Sequence, residues 1–438
     1  MSDDGLTIVL FGAVGDLAER KLLPALWHAL RSGALPGGWR LVGTARSEVS
    51  DDEFRATARD ALDGEVDGLD DDTWSRFAER LTYHSADLVD EDGHDLAEAV
   101  MGVEPDDRTP RLYFLSVPPP TFAPVTRRLA DIGLLDRARV IFEKPYGLDL
   151  ASFDELEAVV DDVLDPAHVF RLDHFLGKQS VQELYDLRRA SPVLEELWRR
   201  DSIERIELDV PETLGVGDRA GFYDDTGALR DVVSTHLLQV AAVVAMDLPA
   251  SDDDLPAARA AALEAIEVLG PHDVVYGQYD GYLDVDGVED GSTTETFAAA
   301  TVRFGGDRWA GVRFHLRHAK CMAASHQRLT ITFSAPAARR LEGAGIALND
   351  DRLVIELDEP DTVPVDDGDD RAASAHERLI LAALAGDHRW FPSAAALRRV
   401  WQLIDPVLRE QPPVDRYEPG TWGPERAERL VAPYRWSV

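Results

Sequence analysis

Leu6-Thr7-Ile8-Val9-Leu10-Phe11-Gly12-Ala13-Val14-Gly15-Asp16-Leu17 is the stretch on which the fold turns. Its first six residues form a continuous apolar and β-branched run, the pattern of a parallel strand buried on both faces. The run breaks at Gly12 and Gly15. A helical period then takes over through Leu17, Leu22, Leu23, Leu26 and Leu30 and stops near Gly33. A second short strand, Arg40-Leu41-Val42-Gly43, leads into Thr44-Ala45-Arg46, and further strand candidates lie at 112–116, 140–142 and 169–172. Helical stretches fall between most of them, as at 122–132 and 150–163. Strand and helix in alternation predict a Rossmann-like, doubly wound α/β domain over residues 1–172.

The rest of the chain reads differently. Period-two alternation runs through 203–210 and parts of 297–304, 311–316, 329–333 and 353–357. Such strands have one solvated face and are usually antiparallel. Helices interrupt at about 179–190, 231–246 and 373–386. The expectation for 173–438 is an α+β domain with a large, mainly antiparallel sheet, serving substrate binding and oligomerisation.

Composition narrows the function. The 438 residues carry 45 basic against 82 acidic side chains, a formal −37 that repels nucleic acid and anionic membranes. Acidic runs such as 251–254 and 365–370 read as solvated loops rather than metal sites. No run approaches the roughly 18 continuous apolar residues of a membrane span, and Met1-Ser2-Asp3-Asp4 has no export signature. The single cysteine, Cys321, fits a reducing, cytoplasmic setting. Only four of the 45 basic residues are lysine: Lys21, Lys144, Lys178 and Lys320. Where lysine persists against so strong an arginine bias, a compact ammonium on a flexible stem is the expected requirement.

Four segments concentrate chemistry. The strand–turn–helix with Gly12 and Gly15, continuing into Asp16 and Leu17, lets backbone N–H groups approach a dinucleotide pyrophosphate at a helix N-terminus. Arg46, ending the next strand, suits the 2′-phosphate of NADP, with NAD the competitor. Glu143-Lys144-Pro145 sits at a strand end, where α/β sheets place ligand contacts. Asp173-His174-Phe175-Leu176-Gly177-Lys178 gathers an acid, two potential cations and a glycine, and His174 with Lys178 could neutralise a phosphate. His236, beside Asp231 on a nearly all-apolar helix, is either a satisfied core histidine or a general base facing a cleft. His315 and His318 lack further metal ligands around them and read as solvated strand residues, so no metal is expected.

The segments Gly12 to Pro24, Glu143 to Gly147, Arg171 to Lys178 and Arg230 to Gln239 resemble glucose-6-phosphate dehydrogenase. Gly291 to Ala298, Trp309 to Val312 and Ala375 to Leu379 are similar to later signatures of that family, in order, while about 335–375 is shortened. Lys21, Lys144 and Lys178 fall inside these motifs, and Lys320 lies in the segment Arg317-His318-Ala319-Lys320, which the resemblance also places facing the substrate. The resemblance implies that His236 takes the C1 hydroxyl proton of the sugar while a hydride passes to the nicotinamide. It implies that Asp173 orients that imidazole, that His174 and Lys178 hold the sugar phosphate, and that Glu212 and Asp231 accept bonds from sugar hydroxyls. Lys144 and Lys320 complete the cleft, and a homodimer or homotetramer is implied.

Three positions depart from the family's pattern. Phe175 replaces the usual tyrosine, Ser325 a cation beside which stands His326, and Val14 a serine or threonine of the phosphate turn. Each hydrogen bond removed on the substrate side could weaken binding by about 1 kcal/mol. That leaves open an amino- or deoxy-hexose phosphate as substrate, or a non-catalytic dinucleotide sensor on the same fold.

Overall fold

The structure is a computed structural model that describes residues 5–63, 66, 69–90, 92–358 and 373–437; the acidic run at 365–370 lies outside the described residues. The described residues group into two compact units.

The first unit comprises 5–147, 151–177 and 373–392. Its strands are β1 (Gly5–Phe11), β2 (Gly38–Ala45), β3 (Leu81–Ser85), β4 (Arg111–Leu115), β5 (Ala138–Phe142) and β6 (Val169–Arg171). All pair in parallel, in the order β3-β2-β1-β4-β5-β6. Beyond Gly5, every residue of β1 is buried, as its unbroken apolar run requires. The strand order reverses between β1 and β4, and open α/β sheets bind ligands at that switch point, beyond the carboxyl ends of the strands.

A late helix, Ala375–Ala385, also belongs here. Leu379, Ile380 and Ala383 join the core formed by Leu22, Trp27, Trp39 and Leu41. The Arg139 guanidinium of β5 donates to the carbonyls of Ala383 and Leu384 at the end of that helix. Sequence reading placed every residue after 172 in the second domain. Periodicity reveals that this helix has an apolar stripe, but not which sheet the stripe covers.

The second unit comprises 148–150, 178–358 and 393–437. Its strands are β7 (Ile203–Pro211), β8 (Val274–Tyr279), β9 (Phe297–Arg303), β10 (Arg313–Ala319), β11 (Arg328–Phe333), β12 (Arg352–Glu356) and β13 (Val414–Tyr417). They form one sheet in the order β12-β11-β7-β10-β9-β8-β13. Neighbours are antiparallel except β7–β10 and β8–β13. Periodicity missed β8, buried throughout and so without alternation, and the four-residue β13.

The alternation in β7, β9 and β10 does not mark a solvated face, because these strands are buried on both faces. One face packs against the helix that begins at Leu229. The other is covered by the chain's own end: Trp436 lies 4.3 Å from the Arg317 guanidinium, and Ser437 donates to Glu207 from its N (3.0 Å) and Oγ (2.6 Å). His315 and His318, expected to be solvated, are consequently enclosed. By length and composition Ala220–Ala245 could cross a membrane, but 83% of its most apolar window is buried within the protein. Gly227, at φ 73° and ψ 169°, also interrupts it.

Candidate active site

In the first unit the turn after β1 is built for close approach. Gly12 has φ +74°, its N–H donates to Thr44 O (2.8 Å), and a Cβ there would lie 2.1 Å from Ser116 O. No other residue fits without displacing backbone. Gly15 N–H closes the turn on Gly12 O (3.0 Å), and the chain enters a helix at Asp16 and Leu17. That helix passes through a π segment, Ala18–Leu22, carrying Lys21. Arg46 is exposed directly after β2, the neighbour of β1. A tight turn at the switch point, opening into a helix N-terminus with a guanidinium beside it, fits a dinucleotide phosphate.

The ends of β5 and β6 carry the remaining candidates of this unit. Lys144 precedes Pro145 through a cis peptide bond, and its backbone N–H donates to the side chain of buried Glu143 (3.1 Å). Glu143 also lies 3.5 Å from His376 Nε2. Asp173 Oδ1 accepts the backbone N–H of Phe175 (3.0 Å), capping the short helix His174–Gly177. The His174 ring stacks on His376 at 5.5 Å and 14°. A Cβ at Gly177 would sit 2.6 Å from Ala375 O, so the two helices touch backbone to backbone. Glu143, His376 and His174 thus form one polar train. Sequence reading found Ala375 to Leu379 as a signature without assigning His376 a part.

In the second unit, β7 and β10 are parallel neighbours, so their carboxyl ends emerge together. Glu212 follows β7 and Lys320 follows β10, and Lys320 Nζ donates to Glu212 Oε2 at 2.5 Å. His318, near the end of β10 just before them, is fully buried. Its Nδ1 donates to Val210 O at 2.8 Å, because a carbonyl can only accept, and that leaves Nε2 the unprotonated nitrogen. Nε2 has no hydrogen-bond partner among the described residues. Burial above all, with Lys320 adding to it, pushes the imidazole down to about 4, despite the opposing charges of Glu212 and Asp231.

Asp231 and His236 stand on a π-helix, Leu229–Leu237. Its i→i+5 bonding brings residues five apart together along the wide turn. Ser234 and Thr235 donate their hydroxyls to the carbonyls of Arg230 (3.1 Å) and Asp231 (2.6 Å), supplying partners that the wider turn shifts away from the α-helical register. His236 is buried. The start of this helix is held by a residue that sequence reading quoted but did not interpret, Glu295. Its Oε1 accepts Leu229 N–H (2.9 Å) and its backbone carbonyl accepts Ala228 N–H (3.0 Å). A Cβ at Gly227 would lie 2.5 Å from that carboxylate, so glycine is required there. Burial pushes the Glu295 carboxyl up to about 7, outweighing the bond from Leu229.

Lys178, only 6% exposed, donates to Gln327 Oε1 (2.8 Å) and Leu357 O (2.6 Å). Ser325 Oγ accepts Thr213 N–H at 2.7 Å, tying down the loop after Glu212. His326 is half-buried. Its Nε2 is 3.0 Å from Asp209 Oδ2, within a buried network where Arg317 grips Asp209 through two bonds of 2.7 and 2.6 Å. Burial raises the Asp209 carboxyl, but Arg317 and His326 outweigh it and hold it below the usual carboxylate range.

Two family models match the chain. One described as glucose-6-phosphate dehydrogenase, NAD binding domain, covers residues 9–183. Its C-terminal counterpart covers 185–367 and 363–437. Glucose-6-phosphate 1-dehydrogenase 1 of Mycobacterium tuberculosis is 38% identical over 98% of this chain and 95% of its own length. The crystal structure of glucose-6-phosphate 1-dehydrogenase from Mycobacterium avium superposes with a TM-score of 0.82 at 36% identity, covering 99% of this chain and 98% of that one. A glucose-6-phosphate dehydrogenase in complex with its substrate glucose 6-phosphate superposes at 0.85 with 27% identity, over 100% of both chains.

Proposed function

The chain belongs to the glucose-6-phosphate dehydrogenase family, and from that premise we propose that it oxidises C1 of glucose 6-phosphate to 6-phosphogluconolactone, with NADP as acceptor. A nicotinamide dinucleotide is the cofactor of the family's NAD binding domain. Gly12, Gly15, Asp16 and Leu17 would hold its pyrophosphate, Lys144 would lie toward it, and Arg46 would take the 2′-phosphate. Arg46 favours NADP over NAD, while Val14 withdraws a hydroxyl from the same turn. When bound, the nicotinamide supplies the hydride acceptor.

The observation that carries the reading is the constellation of the second unit. Glu212 and Lys320 are paired at two parallel strand ends, with the helix of Asp231 and His236 packed on the same sheet. Glu212 and Asp231 accept hydrogen bonds from sugar hydroxyls, and Lys320 fixes the Glu212 carboxylate for that purpose. His236 accepts the proton of the C1 hydroxyl as the C1–H bond gives up its hydride. Asp173 is the carboxylate that, on the family's pattern, orients this imidazole and stabilises its cation. His174 and Lys178 bind the 6-phosphate, and Lys144 completes the polar lining. Positioning both reactants against one base supplies much of the rate. The protein acts in the cytoplasm as a homodimer or homotetramer.

Phe175 and Ser325 favour a second reading, in which the preferred substrate is an amino- or deoxy-hexose 6-phosphate. Initial rates of NAD and NADP against glucose 6-phosphate, glucosamine 6-phosphate, 2-deoxyglucose 6-phosphate and free glucose decide. The expected result is fastest turnover of glucose 6-phosphate with NADP. Faster turnover of free glucose would refute the phosphate-binding roles. No turnover at all despite measurable cofactor binding would turn the assignment toward a sensor.

A further inference from the structure

The first unit contains a second concavity, at the end of its sheet opposite the Gly12–Gly15 turn. Gly5 and Leu6 at the start of β1 line it, with Arg111 and Leu112 at the start of β4 and Ala138 and Arg139 at the start of β5. The seven residues of β1 separate it from the turn, roughly 20 Å at the rise of a parallel strand. Its volume is about 730 Å³, the size of a metabolite pocket.

The lining is chemically selective. Arg108, Arg111, Arg137, Arg139 and His168 contribute to it, and among the described residues no acidic one does, in a chain where acids outnumber bases 82 to 45. Arg111 is neutralised by Glu104 at 2.6 Å. The others are not: Arg137 donates to Thr109 O (2.9 Å), Arg139 caps the carbonyls of Ala383 and Leu384, and Arg108 and His168 are exposed. Among the described residues none of Arg108, Arg137 and Arg139 has a carboxylate partner. These guanidiniums come from two segments, the loop before β4 and the start of β5, so their convergence is a property of the fold. The same cavity is lined by the apolar side chains of Leu6, Leu112, Leu381 and Leu384. Guanidinium forks and apolar side chains around one cavity match a ligand that is anionic at one end and apolar at the other.

We propose that this cavity binds an organic phosphate with an apolar or aromatic body, at a site distinct from the dinucleotide turn. The test is calorimetric titration of the full-length protein with phenyl phosphate, alongside inorganic phosphate and phenol, with NADPH and glucose 6-phosphate present at saturation, a pair that fills the active site without turnover. Phenyl phosphate should bind one-to-one and at least tenfold more tightly than either fragment. The double variant Arg108→Ser, Arg137→Asn should weaken it at least tenfold while leaving sugar phosphate oxidation unchanged. Both residues are exposed, and asparagine tolerates the φ of +62° at position 137. Leu384→Trp, which adds bulk to the apolar lining, should weaken binding at least tenfold. Unchanged affinity in the double variant, or phenyl phosphate binding no tighter than inorganic phosphate, overturns the proposal. So does binding that disappears when NADPH and glucose 6-phosphate saturate the protein.

Discussion

Replacing Glu295 by glutamine should stabilise the protein, and only at higher pH. The carboxyl is sealed against Gly227 and the first turn of the helix that carries Asp231 and His236. Burial raises it from 4.5 to about 7, which corresponds to about 3 kcal/mol of preference for the protonated form. Because the folded value lies above the unfolded one, the unfolded chain releases this proton first. Stability is therefore intact below about pH 4.5, declines as the pH rises, and has lost its full increment above about 7. Glutamine keeps the shape, still accepts Leu229 N–H through its carbonyl, and has no charge to bury. The variant should exceed the parent by less than about 1 kcal/mol at pH 5 and by about 3 kcal/mol at pH 8. With a urea dependence of about 2 kcal/mol per molar, the midpoint at pH 8 should move up by about 1 to 2 M. Tryptophan fluorescence across a urea series at pH 5, 6, 7 and 8 reads this directly. A gap that stays constant with pH, or a glutamine variant weaker than the parent at pH 8, would show that Glu295 is charged in the folded protein and would defeat the reasoning.

Three other substitutions probe different parts of the molecule. His236→Asn should lower kcat by about 10²-fold while KM changes little, as loss of a general base does; near-normal kcat would remove His236 from that role. Arg46→Ala should raise KM for NADP about tenfold and leave KM for NAD within about twofold, since only the 2′-phosphate meets the guanidinium; an equal rise for both cofactors would contradict that assignment. Asp209→Asn leaves the buried Arg317 charge without its carboxylate and should cost about 3 kcal/mol or more in thermal or urea unfolding. If the loss is under about 1 kcal/mol, water must reach Arg317 and the network is weaker than its geometry implies.

What could be read from residues alone was whatever is local to one segment. An unbroken apolar run is buried wherever it lies, so β1 and the turn after it were visible at once. The lysines, too, could be found by their rarity. Pairings between distant segments have no such signal. Glu212 and Lys320 meet because β7 and β10 are parallel neighbours, although more than a hundred residues separate them. The helix Ala375–Ala385 shows an apolar stripe but not that it completes the core of the first unit. Alternation in β7 and β10 correctly sorted side chains into two faces, and erred in leaving one face to solvent. What covers that face is the final stretch of chain. There Trp436 packs on Arg317 and near His315, and Ser437 closes on Glu207. Charged residues on a strand are compatible with either water or a satisfied buried network, and only the partner decides which. The same ambiguity hid Glu295. In sequence it is one acid among 82. Its function as the anchor of the Asp231–His236 helix depends on Gly227, 68 positions earlier, lacking a side chain. A glycine in an otherwise helical run is therefore a pointer toward whatever group needs the space, and at this site that group is a carboxyl held close to its protonation point.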